Sequence, residues 1–348
     1  MILKRRTFLQ IVPAAAIATQ SGLAYADDEK KEGGGEGEVL LKFGTVAPKN
    51  SLWGSVFKTW TEIYNEKAKS KGLKTRIMFF YSAQQGDESE MVGKIRKGQL
   101  DGAAITAVGL AAIEKSALVF QMPGLFQDWP QLDAVREKLR PQLEKAFNDA
   151  GFACLGWGDV GKAHTVSKGF EVRVPTDLRG RHPIYIKGDM IAPVFYSVVD
   201  KVTPIETTIP QIATQLAGGA IDILNTPSLA LEQLMWAQHV DTINEAVTGF
   251  GIGAMVMSSK KLAALGEDDR TILKETGAKA ADTLTKVIRN EDKKAFERLL
   301  GSKKHFMPSE SELAQWKKVF ADSRARLAGS TFPAAFVKQV EEAAAAAK

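Results

Sequence analysis

The residues best equipped for chemistry here are four histidines, His164, His182, His239 and His305, and one cysteine, Cys154. A metal site needs His, Cys or carboxylates at short recurring spacings, and nucleophilic catalysis needs a base within hydrogen-bond reach. No histidine has a second His or Cys at ligand spacing, so each reads as a surface or hydrogen-bonded structural residue. Cys154 lies in the apolar run Gly151-Phe152-Ala153-Cys154-Leu155-Gly156, the setting of a packing thiol, and a lone cysteine excludes an intramolecular disulfide. There is no G-x-S-x-G elbow and no phosphate-cradling P-loop. Gly249-Phe250-Gly251-Ile252-Gly253 imitates part of a dinucleotide fingerprint but lacks its third-glycine spacing, a preceding strand and a following helix. The expectation is therefore a protein with no catalytic residues, no metal and no cofactor: a binder, not an enzyme.

The elements around these residues follow from periodicity. Val39–Gly44 reads as a short apolar strand, and Ser51 to Lys69 as an amphipathic helix carrying Trp53, Phe57, Trp60, Ile63 and Tyr64 at helical spacing. A strand at Thr75–Tyr81, a helix near Glu88–Lys97 and a strand after Gly98-Gln99-Leu100-Asp101-Gly102 complete a βαβ series. The plan recurs: strand Pro183–Lys187, helix Ile191–Val199, strand Val202–Ile205, helix Ile209–Ala217, then Gly218-Gly219-Ala220-Ile221-Asp222-Ile223-Leu224. Two α/β lobes are expected, each a mixed or parallel sheet wrapped by helices, followed by a helical C-terminal part.

Residues 1–26 read as an export signal: Lys4, Arg5 and Arg6, the apolar run Ile11–Ala18, and Ala24-Tyr25-Ala26, with cleavage expected after Ala26. Arg5-Arg6-Thr7-Phe8-Leu9 has the twin-arginine pattern, a general secretory signal being the alternative. The apolar run is too short for the ~30 Å hydrocarbon of a bilayer. Residues 27–38, all charge and glycine, read as a disordered linker. The chain of 348 residues has a formal charge of +5, but beyond residue 26 there are 43 basic and 41 acidic residues, so no nucleic-acid partner is indicated. A periplasmic protein is expected.

Several motifs then fall in one order: Phe43-Gly44-Thr45-Val46-Ala47-Pro48, Ile95-Arg96-Lys97-Gly98-Gln99-Leu100-Asp101, Met122-Pro123-Gly124-Leu125-Phe126, Leu155-Gly156-Trp157-Gly158, Pro175-Thr176-Asp177-Leu178-Arg179-Gly180, Leu216-Ala217-Gly218-Gly219-Ala220-Ile221-Asp222 with Asn225-Thr226-Pro227, and Met257-Ser258-Ser259-Lys260-Lys261. This order resembles the substrate-binding proteins of tripartite ATP-independent periplasmic (TRAP) transporters over about residues 39 to 300. The resemblance implies a two-lobed periplasmic-binding-protein fold hinged around a central cleft, with crossing strands and a long connecting helix. It places lobe I at 39–160 and 250–290 and lobe II at 161–249 and 291–348. It also implies capture of a small molecule for a small and a large integral membrane subunit; a monomer is expected.

One departure bears on the ligand. The family clamps a ligand carboxylate with an arginine on the strand after the D-L-x-G turn, but here that strand reads Arg181-His182-Pro183-Ile184-Tyr185-Ile186-Lys187-Gly188-Asp189. Ile184 or Ile186 takes the arginine's place, and Lys187 or Arg181 could stand in only as a point charge. An organic acid and a neutral or apolar ligand both stay open, as does a TRAP-like carrier of lipid, sterol-like or other apolar cargo serving a different transport system. Candidate ligand contacts are Trp53, Thr106, Trp157, Ile184, Ile186, Lys187, Asp189, Asn225 and Trp236, with Phe126 as a further apolar wall. For each tryptophan core packing is the alternative, for Thr106 a helix cap and for Asn225 a turn cap. Asp159 and Asp189 would disfavour an anion if unpaired, and solvation at the surface is the alternative for both.

Overall fold

The computed structural model describes residues 37–347. The expected signal segment and most of the expected linker lie outside them. The first βαβ series forms as the pattern requires: β1 (Val39–Thr45), α1 (Leu52–Ser70), β2 (Thr75–Phe80), α2 (Glu88–Arg96) and β3 (Gly102–Thr106). Ser51 caps α1 by accepting the Gly54 N–H, and Asp87 with Glu90 forms a reciprocal capping box on α2. The short α3 (Ala107–Ala111) follows, and α4 (Trp129–Asp149) leads into β4 (Phe152–Ser167). The second series is β5 (Ile184–Ile186), α5 (Ala192–Val199), β6 (Ile205–Thr207), α6 (Ile212–Gly218), β7 (Ile223–Pro227) and α7 (Ser228–Gln233). Then come β8 (Thr242–Ser258), α8 (Ser259–Ala264), α9 (Glu267–Leu300), β9 (Lys304–Phe306), α10 (Glu310–Leu327) and α11 (Ala334–Ala346).

Two long strands organise everything else. β4 and β8, of 16 and 17 residues, run antiparallel along most of their length. At one end β8 pairs with β3, giving the order β2-β1-β3-β8-β4 with parallel β1, β2 and β3. At the other end β4 pairs with β7 and β8 with β9, while the parallel β5–β6 pair reaches β7 through a bridge between Pro183 and Ile223. Each sheet has its own helices, so two α/β lobes share two strands. Between them the β4–β8 register slips at Val160, since Asp159 pairs with Ile252 but Gly161 with Gly251. A bulge of this kind bends a strand locally. Gly161 sits there at φ 140°, and a Cβ on it would lie 2.7 Å from the Asp292 carboxylate, so glycine is required.

The 34-residue α9, about 51 Å long at 1.5 Å per residue, runs behind β4 and spans both halves. Leu273, Ala281, Leu284, Ile288 and Ala295 form its buried stripe against the sheet. α10 packs on α5, and α11 packs on α4. Among the described residues no helix is long and apolar enough to cross a membrane.

Candidate functional site

The cleft forms where strands end. Thr45 and Thr106 close β1 and β3, Ile186 closes β5, and Asn225 to Pro227 end β7; open α/β sheets present ligands with this edge, outside the carboxyl ends of their strands. Two connected compartments result, of about 280 and about 100 Å3, whose shared walls are Thr106, Val160, Ile209, Ala230 and Leu234. The larger has apolar walls from Ile184, Ile186, Ile191, Phe195, Trp236 and Phe250. Its polar lining is Thr106, Gln121, Thr165, Asp189, Asn225, Thr226 and Thr248, with the Tyr185 and Tyr196 rings beside them. Among the described residues no arginine, lysine or histidine lines either compartment.

Helix N-termini are the other usual seats for an anion, because their N–H groups lack intrahelical partners. Three of those that border this cleft each hold a carboxylate of the chain itself, while α1, which starts beside Trp53, is served by Ser51 and Gln233. Glu88 accepts the Thr106 N–H at 2.8 Å, the Thr106 hydroxyl at 2.6 Å and the Gly109 N–H at 3.1 Å, so it fills the start of α3. Asp189 Oδ1 accepts the Ile191 and Ala192 N–H groups at 2.7 and 3.3 Å, filling the start of α5. Asp292 on α9 accepts Leu229 N–H at the start of α7 and Lys162 N–H beside the bulge, at 2.9 and 2.8 Å. Burial pushes the pKa of all three carboxyls up, with these N–H groups pulling the other way.

Of the expected contacts, Thr106, Ile184, Ile186, Asp189, Asn225 and Trp236 come together around the larger compartment, and Trp53 lines the smaller one. The Trp53 indole Nε1 is buried with no hydrogen-bond partner. Asn225 Oδ1 accepts the Thr248 hydroxyl, which ties β7 to β8 at the cleft wall.

The remaining expectations fail on geometry. Trp157 faces away, packed between Phe120 and Phe147 with its Nε1 donating to Glu144 at 3.0 Å, because strand alternation turns it towards α4 while Gly156 and Gly158 face α9. Phe126 belongs to that same core. Lys187 leaves the cleft to meet Asp87 at 2.9 Å across its mouth, and Arg181 stacks on Phe170 with its guanidinium 3.8 Å from the ring centre. Asp159 is neither solvated nor unpaired: it is 1% exposed and takes Arg136 and Arg289 at 2.6 Å each. Cys154 lies in β4 with its thiol pushed up to about 12 by burial, as a packing residue should.

Sequence reading missed Thr165, Thr226, Thr248, Phe195, Phe250 and the buried Glu88. β8 carries Thr248 and Phe250 to the cleft only because it pairs with β4, a contact between residues about 90 positions apart that no local pattern announces. Glu88 was legible only as an acidic residue in the first turn of a helix.

Residues 43–328 match the model of a protein family, Bacterial extracellular solute-binding protein, family 7. The chain belongs to that family. Solved structures agree in fold. A TRAP periplasmic solute-binding protein of Ralstonia eutropha H16, with bound (S)-2-acetolactate, is 18% identical over 88% of this chain and 99% of that one, with a TM-score of 0.80. The sugar-acid-binding protein of Advenella mimigardefordensis in complex with galactonate is 16% identical over 89% and 99%, with a TM-score of 0.82. A TRAP protein of Shewanella oneidensis with bound succinate is 19% identical over 89% and 99%, with a TM-score of 0.79. This family 7 protein is thus an extracellular solute-binding protein, a binder rather than an enzyme, with the two-lobed fold of those structures. The ligand, in such a fold, is taken up between the lobes and stabilises their closed arrangement by its differential affinity for it.

Proposed function

We propose that this family 7 protein captures a small, non-anionic and largely apolar molecule between its lobes and hands it to TRAP membrane subunits. The observation that carries the reading is the wall of the 280 Å3 compartment, which offers no Arg, Lys or His while Glu88, Asp189 and Asp292 occupy the neighbouring helix N-termini. A carboxylate entering such a site would lose its hydration without gaining a counter-charge. Affinity would come instead from burial against Ile184, Ile186 and Phe250, at about 25 cal/mol per Å2 of apolar surface, with hydrogen bonds from Thr165, Asn225 and Thr226 fixing orientation.

The lobes we propose are 39–160 with 250–290 and 161–249 with 291–348, hinged at the Val160 bulge, with α11 riding on the first lobe through its packing on α4. Export by a signal cleaved after Ala26, residence in the periplasm and action as a monomer complete the reading. A second reading, an organic acid, is favoured by the acetolactate, galactonate and succinate held by the structural relatives. It requires Lys187 to leave Asp87 and turn inward.

The test is mass spectrometry of what the denatured mature protein releases after purification from its own host. A neutral or cationic compound supports the first reading, and an organic acid overturns it. Ile184→Arg serves as the converse: it should create succinate binding that the wild type lacks.

A further inference from the structure

The cleft has one charged side chain in its larger compartment, and that side chain is incompletely matched. Asp189 Oδ1 takes the two α5 N–H groups, but among the described residues no donor reaches Oδ2. Asp189 is half-buried, and its Oδ2 stays open to the cleft, where a cationic donor would give it a charge-assisted hydrogen bond. The nearby cations are spent elsewhere: Arg179 donates to the Val199 and Asp200 carbonyls, Arg324 to Pro123, Arg326 to Ser197 and Lys187 to Asp87.

The same compartment is lined by Phe195, Tyr196, Trp236, Phe250, Trp316 and Phe320. Phe195, Trp316 and Phe320 form one cluster with ring centres 5.8 to 6.3 Å apart, and Tyr196 packs edge-on to Phe195 at 5.2 Å. Aromatic faces attract cations, most strongly where water is excluded, and a carboxylate beside them adds the counter-charge.

We propose that the ligand carries a cationic nitrogen, a protonated amine or a quaternary ammonium, seated at Asp189 against this aromatic wall, with its apolar remainder against Ile184 and Ile186. This rests on the reading of the cleft as a site for a non-anionic solute. It makes Asp189 a specificity-determining residue: it would separate a cationic ligand from its neutral analogue of equal shape.

The experiment is isothermal titration of the mature protein with three probes of one size: phenethylammonium, phenethyl alcohol and phenylacetate. The expected result is phenethylammonium binding at least about tenfold tighter than the alcohol, one power of ten being about 1.4 kcal/mol. Asp189→Asn should remove that preference, the amine and the alcohol then binding with equal affinity. Asp189→Ser, which keeps a side-chain oxygen to cap α5, should do the same and guards against a folding defect. Equal binding of amine and alcohol, or a preference that survives both variants, overturns this inference and leaves the non-anionic reading standing. Tightest binding of phenylacetate overturns both. Absence of measurable heat with all three at millimolar concentration counts against the cationic site.

Discussion

Asp159 gives the sharpest prediction, because its surroundings allow the cost of losing it to be worked out. Its side chain is fully buried, and Arg136 and Arg289 reach its two oxygens at 2.6 Å each, from α4 and α9 respectively. Asp133 joins the network, accepting Arg136 at 2.8 Å and both Arg289 amino groups at 2.6 and 2.7 Å. In Asp159→Asn both arginines keep Asp133, which is itself partly exposed, but lose their buried counter-charge. Removing one partner of a buried ion pair costs about 3–5 kcal/mol, and the surviving Asp133 contacts favour the lower end. An unfolding entropy of about 2.1 cal/mol/K per residue gives roughly 0.7 kcal/mol/K for a mature chain of about 320 residues, so Tm should fall by about 4 °C. Scanning calorimetry on mature wild type and variant measures this, with urea unfolding as a second reading of the same difference. Asp133→Asn is the control and should cost much less, since the fully buried Asp159 remains. A Tm within about 1 °C of wild type for Asp159→Asn would refute the claim that this network clamps α4 and α9 onto the crossing strands.

Three further outcomes follow. Burial, on a ring stacked at 4.2 Å against Phe296, lowers the His164 pKa from 6.5 to about 4. The native state therefore refuses a proton that the unfolded chain accepts, so this contribution to stability is complete above pH 6.5 and is lost progressively as pH falls towards 4. The stability difference between wild type and His164→Gln should change by roughly 3 kcal/mol across that window; parallel urea-midpoint profiles would contradict it. Gly161→Ala should destabilise by about 1–3 kcal/mol, since a methyl must occupy a left-handed backbone against the Asp292 carboxylate; an unchanged urea midpoint would show that the bulge relaxes freely. Lys187→Ala removes the ion pair across the cleft mouth, a half-exposed contact that solvent and salt screen. It should widen the ligand-free protein in small-angle X-ray scattering, as added salt should widen the wild type, and identical scattering curves would show that this ion pair does not hold the lobes together.

The individual elements were largely legible in the chain. The spacing of Trp53, Phe57, Trp60 and Tyr64 gave α1 to within a residue at each end, and the strand expected at Thr75–Tyr81 and the helix near Glu88–Lys97 formed at Thr75–Phe80 and Glu88–Arg96. Such features are decided by neighbours a few positions away. The site was legible where a strand end names its own residues: Thr106, Ile184, Ile186, Asp189 and Asn225 sit at or beside the ends of β3, β5 and β7, which any open α/β sheet turns to its ligand. The missing clamp was visible too, because Ile184 and Ile186 are simply not arginine.

What only the tertiary structure decided was direction and partnership. Trp157 alternates away from the cleft, and nothing in Leu155-Gly156-Trp157-Gly158 says which side of β4 will meet α4 and which α9. Asp159 reads as an ordinary surface acid until Arg136 and Arg289, 23 and 130 positions distant, close around it. Lys187 looks like a substitute cation until Asp87, 100 positions earlier, claims it. Side-chain type is local, but the sign of the field inside a cleft is a sum over groups from every element that lines it, and those elements meet only when the chain has folded.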